Sequence, residues 1–168
     1  MRHGTRVLLM VAACLFPSAC ITGFKHPLGT VEDGFIEPRL LGTWACTDVD
    51  DPTRSQITIM DYDGKQYYIE SSGGGTSDVS RFRAFATRVE ELAFLSLREL
   101  GSNGDEEWAF LEYTLSDADH LRFRLVDPAR FEDVVDDPPS VRQRLAEQSQ
   151  DPEVVVGLLS CTRRRRQP

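Results

Sequence analysis

Residues 107–125 read EWAFLEYTLSDADHLRFRL, and this stretch decides the fold class because apolar and polar side chains alternate in two short runs. In the second run, Leu121, Phe123 and Leu125 are separated by arginines. Successive side chains of a β-strand point to opposite faces, so each run can bury one face and expose the other. Turn-forming residues 117–120 separate the two runs. The stretch therefore predicts an antiparallel β-hairpin.

The same alternation continues on both sides of this hairpin. Short runs that fit strands occupy residues 41–48, 55–62, 65–71, 79–88, 92–100 and 154–161. Turn residues stand between them, such as Asp63 and Gly64, which suit a tight hairpin. Closely spaced strands joined by short turns are typical of an antiparallel meander or barrel.

One helix is predicted late in the chain, before the last strand. Asp137 can cap it, and Pro138 or Pro139 suits the first turn. Val141 and Leu145 lie four residues apart and give the helix one apolar face. We therefore predict an all-β fold with one late helix, in the form of a small antiparallel barrel of seven or eight strands.

The composition fits one small domain with an acidic surface. The chain has 168 residues and a formal net charge of −8, with 19 Lys and Arg against 27 Asp and Glu. Such a chain is long enough to bury a substantial core, and it shows no internal repeat. Because the phosphate backbone of nucleic acids attracts basic proteins, no nucleic-acid partner is expected.

The first twenty residues resemble the export and lipid-attachment signal of a bacterial lipoprotein. Residues 7–16 are apolar but too few to span a bilayer, and the small residues Ser18 and Ala19 precede Cys20. The resemblance implies that residues 1–19 are a signal peptide and that Cys20 is lipidated. Acyl chains such as palmitate would then attach the protein to a membrane.

Two alternatives to lipidation at Cys20 stay open at this stage. The lipoprotein pattern prefers an aliphatic residue at the position that Pro17 occupies. The residues before Cys14 match the pattern better, but cleavage before Cys14 would leave a very short apolar core in the signal. An ordinary secretory signal would instead yield a soluble periplasmic protein. If Cys20 is the site, Ile21 in the next position implies, by resemblance to Gram-negative lipoproteins, transfer to the periplasmic face of the outer membrane.

Residues 20–39 are predicted to be the lipidated cysteine and a flexible tether. They contain Gly23, Pro27 and Gly34 among other chain-breaking residues and show no sustained period. The barrel domain is accordingly assigned to residues 40–168.

Two cysteines remain in the predicted domain, Cys46 and Cys161. In the oxidising cell envelope they are expected to form a disulfide. A cysteine-containing metal site is the alternative, but it lacks nearby partners, since His26 lies in the predicted tether and His120 in a predicted turn. No metal or other cofactor is expected.

The first predicted strand carries the Gly-x-Trp signature with which lipocalins and their calycin relatives begin their barrel, here Gly42 and Trp44. The resemblance implies that the glycine lets the backbone pass close beneath the barrel floor. It also implies that the tryptophan plugs that end under an arginine from the end of the last strand, Arg163 or Arg164. It extends over about residues 40–165 in the order of elements. The alternative is that Trp44 is a core aromatic residue of another small β-fold.

Catalysis is not expected from this sequence. His120 is the only histidine of the predicted domain, and no Gly-x-Ser-x-Gly elbow is present. Five acids could meet at one end of the sheet as a calcium site, although the favoured interpretation is solvated turn residues; they are Asp48, Asp50, Asp51, Asp61 and Asp63. Four arginines would form a basic patch if their strands were neighbours; they are Arg81, Arg83, Arg122 and Arg124.

Two hypotheses for the function remain. Small inward residues such as Ala84 and Ala86 could leave a barrel cavity for a small apolar ligand or lipid. The alternative is an envelope protein with a filled barrel that binds or inhibits another protein through its loops. The volume inside the barrel distinguishes the two. We expect an envelope lipoprotein with the first, ligand-binding role.

Overall fold

A computed structural model describes residues 23–49, 54–73, 76–101 and 107–164 of the chain. The predicted signal peptide of residues 1–19 and the predicted lipidation site Cys20 lie outside the described residues. Within the described ranges, no helix is long and apolar enough to cross a membrane.

Eight antiparallel strands form a closed barrel in which each strand pairs with its neighbours in the chain and the last pairs with the first. The strands are β1 (Gly42–Asp48), β2 (Arg54–Asp61), β3 (Tyr67–Gly73), β4 (Thr76–Val89), β5 (Leu92–Glu99), β6 (Ala109–Leu115), β7 (His120–Val126) and β8 (Val155–Arg163). Helix α1 (Pro138–Gln148) lies between β7 and β8. The predicted fold class, an all-β barrel with one late helix, is confirmed.

The hairpin predicted from residues 107–125 is formed by β6 and β7. Tyr113 pairs with Phe123, and both side chains are buried inside the barrel. Thr114 and Arg122, which pair one position earlier on β7, are exposed on the outer face. The alternation of burial follows from the two-residue period of the strand.

A second apolar layer covers the outside of one barrel wall. Phe94 on β5 and Phe110 on β6 belong to this outer layer, whereas their chain neighbours Leu95 and Ala109 belong to the interior core. Val141 and Leu145 of α1 pack on the outer layer. Strands β5 and β6 are therefore buried on both faces, which explains why both alternating sets of side chains in residues 108–111 are apolar.

Phe24 and Leu28 belong to this layer and Leu40 belongs to the interior core, which corrects the prediction of a flexible tether up to residue 39. Phe24 is 1% exposed, and its ring stacks on Phe110 with 4.1 Å between ring centres. Leu28 is equally buried, and its N–H donates to the Ser96 hydroxyl at 3.1 Å. Isolated apolar side chains can hold an irregular segment on an apolar wall without any periodic pattern. The ordered domain thus includes residues from 23 onward.

Candidate functional site

One end of the barrel is closed by the residues that the Gly-x-Trp resemblance singled out. Trp44 is fully buried, and its indole N–H donates to the Leu40 carbonyl at 2.9 Å. The Arg163 guanidinium lies 4.2 Å from the centre of the Trp44 ring and donates to the Leu41 carbonyl at 2.6 Å. The structure thus brings Arg163, from the last strand, over the indole, where a cation–π contact is favourable.

Gly42 makes the close approach at this end possible. Its φ is +130°, and a Cβ built there would lie 2.7 Å from Nη1 of Arg163. Any other residue would strain the backbone and would require the guanidinium to shift. Arg164, the other candidate for stacking, only donates its backbone N–H to the Thr43 carbonyl, at 2.8 Å.

Tyr67 is a second plug of the closed end, and no sequence motif singles it out. Its side chain is fully buried, and its hydroxyl accepts from the Glu37 N–H at 2.7 Å and donates to the Phe35 carbonyl at 3.2 Å. The hydroxyl therefore ties the amino-terminal segment to the barrel floor. The only sequence signal was the pair Tyr67-Tyr68, because one of two adjacent strand residues must face inward.

Stability is expected to fall at alkaline pH because of the buried tyrosines. Burial raises the pKa of Tyr113 to about 12 and raises the pKa of Tyr67 still further. Unfolded tyrosine has a pKa of about 10, so in more alkaline solution the unfolded chain releases protons that the folded protein retains. The resulting stabilisation is fully present below about pH 10 and is lost as the pH rises toward 12. Urea midpoints at about pH 9 and pH 11 test this, and a Tyr113→Phe variant should show a smaller difference.

Cys46 and Cys161 pair directly across the seam between β1 and β8 and are joined by a disulfide, as predicted. Both are buried in the interior core. The bond crosses the one strand pair that joins the first and last strands of the barrel. It therefore fixes the closure of the barrel covalently.

The opposite end of the barrel contains an open cavity of about 330 Å³. The cavity is lined by Asp48, Ile57, Ile59, Ile69, Ser71, Phe82, Leu95, Leu97, Ala109, Leu111, Phe123, Leu125, Val156, Gly157 and Leu159. Asp48 ends β1 and Val156 lies near the start of β8, so the opening is at the end away from Trp44. Among the described lining side chains, only Asp48 and Ser71 are polar. The site can enclose an apolar group, and its two polar groups lie on strands β1 and β3.

The small inward residues named from the sequence do not create this space. Ala84 and Ala86 are fully buried in the interior core but do not line the cavity. Ala84 pairs with Tyr67, whose large ring occupies the closed end. Ala109 and Gly157 are the small residues that line the cavity itself.

The acidic cluster considered from the sequence is not assembled by its described members. Asp48 lies at the open end of β1, whereas Asp61 lies at the other end of the barrel, where β2 finishes. Asp63 caps the hairpin after β2 by accepting from the N–H groups of Lys65 and Gln66. Asp50 and Asp51 lie outside the described residues. In the described part of the chain, no group of three or more metal-ligating side chains is positioned to hold an ion.

The basic patch is not formed either, because β4 and β7 are separated by two strands. On β4, Arg81 pairs with Glu70 at 3.4 Å, and Arg83 lies over the ring of Tyr62. On β7, Arg124 donates to both carboxylate oxygens of Glu112, at 2.8 and 2.7 Å. These arginines serve separate local contacts.

No protein-family model matches the chain, and neither a curated protein nor a solved structure matches it significantly. The closed eight-stranded antiparallel barrel is consistent with the lipocalin-like barrel expected from the sequence.

Proposed function

We propose that this protein is an envelope lipoprotein that binds a small apolar ligand or lipid in its barrel cavity. The observation that supports this role is the open, aliphatic cavity of about 330 Å³. Burial of apolar surface stabilises a complex by about 25 cal/mol per Å², and such a lining offers little else to a ligand. The proposed role is binding rather than catalysis.

The size of the cavity narrows the class of ligand. A water molecule takes about 30 Å³ in the liquid, so a cavity of about 330 Å³ holds roughly eleven heavy atoms of similar size. One medium-length acyl chain fits that space. A filled barrel, which the protein-interaction alternative requires, would leave no cavity of this size.

The proposed role includes anchoring of the protein to a membrane of the cell envelope. Lipidation of Cys20 after removal of residues 1–19 would anchor the chain to a membrane, at the periplasmic face of the outer membrane if Ile21 directs sorting. The Cys46–Cys161 disulfide supports this, because such bonds persist in oxidising compartments.

We expect the Ala109→Phe variant to bind decan-1-ol about tenfold more weakly or worse, since each displaced ligand methylene forfeits about 0.8 kcal/mol. Ala109 lines the cavity, so the added phenyl ring should occupy the space of several ligand carbons. Titration calorimetry on the domain from residue 23 onward, exported to an oxidising compartment, measures the affinity.

Ala45→Phe is the matched control, because Ala45 lies on β1 between the inward residues Trp44 and Cys46 and faces outward. This variant should bind decan-1-ol as the unmodified domain does. Equal affinities for the unmodified domain and Ala109→Phe, or no detectable binding by the folded unmodified domain, would contradict the proposed function.

A further inference from the structure

We infer that the lipid anchor holds the open end of the barrel toward the membrane, and that the ligand is an acyl chain of a lipid from that membrane. The inference rests on the proposed lipidation of Cys20 and on the proposed apolar binding site. It adds an orientation, a ligand class and a source for the ligand.

The chain is fixed to the barrel from Gly23 onward. The Gly23 N–H donates to the Glu107 carboxylate at 2.7 Å. The next residue, Phe24, exchanges two backbone hydrogen bonds of 2.7 Å with Trp108. Three peptide units separate Cys20 from Gly23, and an extended chain spans at most about 3.6 Å per residue. The lipidated cysteine therefore lies within roughly 11 Å of this attachment point.

This attachment point lies at the open end of the barrel. Trp108 immediately precedes Ala109, which begins β6 and lines the cavity. On the other side, Gly23 shares a surface depression with Asp127 and Pro128, which follow the end of β7. The start of β6 and the end of β7, which line the cavity, therefore both lie beside the attachment point. The short anchor thus emerges beside the cavity opening.

The closed end of the barrel lies farther from this anchor than the open end does. Strand β6 runs for seven residues from Ala109 to Leu115 at the closed end, and a strand rises about 3.4 Å per residue. Barrel strands tilt by about 35–45° from the barrel axis, so the Trp44 plug lies roughly 15 Å farther along that axis. An anchor of roughly 11 Å is too short to let the barrel turn over freely, so the open end is the one held near the lipid.

Surface charge does not supply this orientation by itself. The residues around the attachment point include Glu107, Asp127 and Glu132, and the whole chain has a formal net charge of −8. Acidic side chains are repelled by anionic head groups. The covalent anchor is therefore what holds the open end at the surface.

The orientation identifies the source of the ligand. Moving an acyl chain through water costs about 0.8 kcal/mol per methylene, whereas a cavity that opens beside the bilayer can receive the chain with little exposure to water. The cavity holds roughly eleven heavy atoms, which corresponds to one acyl chain or the terminal part of a longer one. An acyl chain from the adjacent leaflet is therefore the expected occupant.

The chain's two tryptophans allow a direct test, because Trp108 lies at the open end and Trp44 at the closed end. The full-length lipidated protein is reconstituted in vesicles that contain a lipid with a nitroxide on its head group, which quenches nearby tryptophans. Emission is compared with that of Trp108→Phe, which retains Trp44 alone. We expect the nitroxide to quench the emission of Trp108 and to leave the emission of Trp44 nearly unchanged. Quenching of Trp44 instead, or of both equally, would overturn the orientation.

A second variant carries a long Gly/Ser insertion between Thr22 and Gly23 and keeps the barrel sequence intact. It should lose most of the Trp108 quenching and take up a lipid with a fluorescent acyl chain more slowly from its own vesicle than the unmodified protein does. Equal uptake by both proteins would overturn the inference. Binding of soluble decan-1-ol separates the two proposals, because failure of the proposed function abolishes it in both proteins, whereas failure of the orientation leaves it unchanged.

Discussion

Removing the disulfide by replacing Cys46 and Cys161 with alanine is expected to lower the free energy of unfolding by as much as about 5 kcal/mol. The bond spans 115 residues of sequence. In the chain-entropy model, a cross-link stabilises the folded state by restricting the unfolded chain, and the effect grows with the length of the closed loop. Loss of this bond would remove a large share of the stability of an ordinary domain.

The place of the bond in the barrel adds to the expected effect. The other strand pairs join strands that are consecutive in the chain, whereas β1 and β8 come from opposite ends of the domain. Without the disulfide, that seam closes only through backbone pairing and packing, after a large loss of chain entropy.

Urea unfolding of the oxidised domain, the reduced domain and the double-alanine variant measures this effect. The reduced and double-alanine forms should unfold at similar, much lower urea concentrations than the oxidised form. Adding reductant to the double-alanine variant is the control and should change nothing. A reduced domain as stable as the oxidised one would show that the seam does not depend on the bond.

Replacing Trp44 with alanine is expected to destabilise the domain by about 3 to 5 kcal/mol, the usual cost of truncating a fully buried aromatic residue. The indole is fully buried and donates a hydrogen bond to Leu40. Its removal would also leave the Arg163 guanidinium above an empty site. The loss should therefore loosen both the barrel floor and the contact between the first and last strands.

Trp108→Ala is the matched control for this prediction. Trp108 is half-buried in the outer layer, where it meets Phe85 edge to face with 5.7 Å between ring centres. It should cost clearly less than the Trp44 change. Urea unfolding of both variants decides the matter, and an equal loss for the two tryptophans would mean that the plug has no special role in closing the barrel.

The strands could be predicted from the sequence because burial on one face of a strand leaves a period of two. Residues 92–100 and 121–125 match β5 and β7 to within one residue at each end. The closure of the barrel could be predicted from two pairs of residues that are far apart in the sequence, Cys46 with Cys161 and Trp44 with Arg163. Each pair joins the first strand to the last, so both signals indicate the same seam.

Other features could not be predicted, because they depend on how distant strands are arranged. The segment from Phe24 to Leu40 packs on the barrel through isolated side chains, with Phe24 and Leu28 on the outer wall and Leu40 in the interior core. Such isolated contacts leave no period in the sequence. The cavity depends on the combined volume of side chains from all parts of the barrel. Ala84 indicated that small residues face inward, but it did not indicate where the unfilled volume lies. The arginines of β4 and β7 were expected to cluster only if their strands were neighbours, and strand order is not encoded locally.

Native mass spectrometry of the domain from residue 23 onward, purified from an oxidising periplasm without detergent and followed by organic extraction, tests the central claim most directly. The binding proposal predicts a mass two hydrogens lighter than the reduced chain, together with a stoichiometric apolar molecule that carries an acyl chain. A folded, disulfide-bonded domain with an empty cavity that also fails to take up added decan-1-ol would contradict the claim.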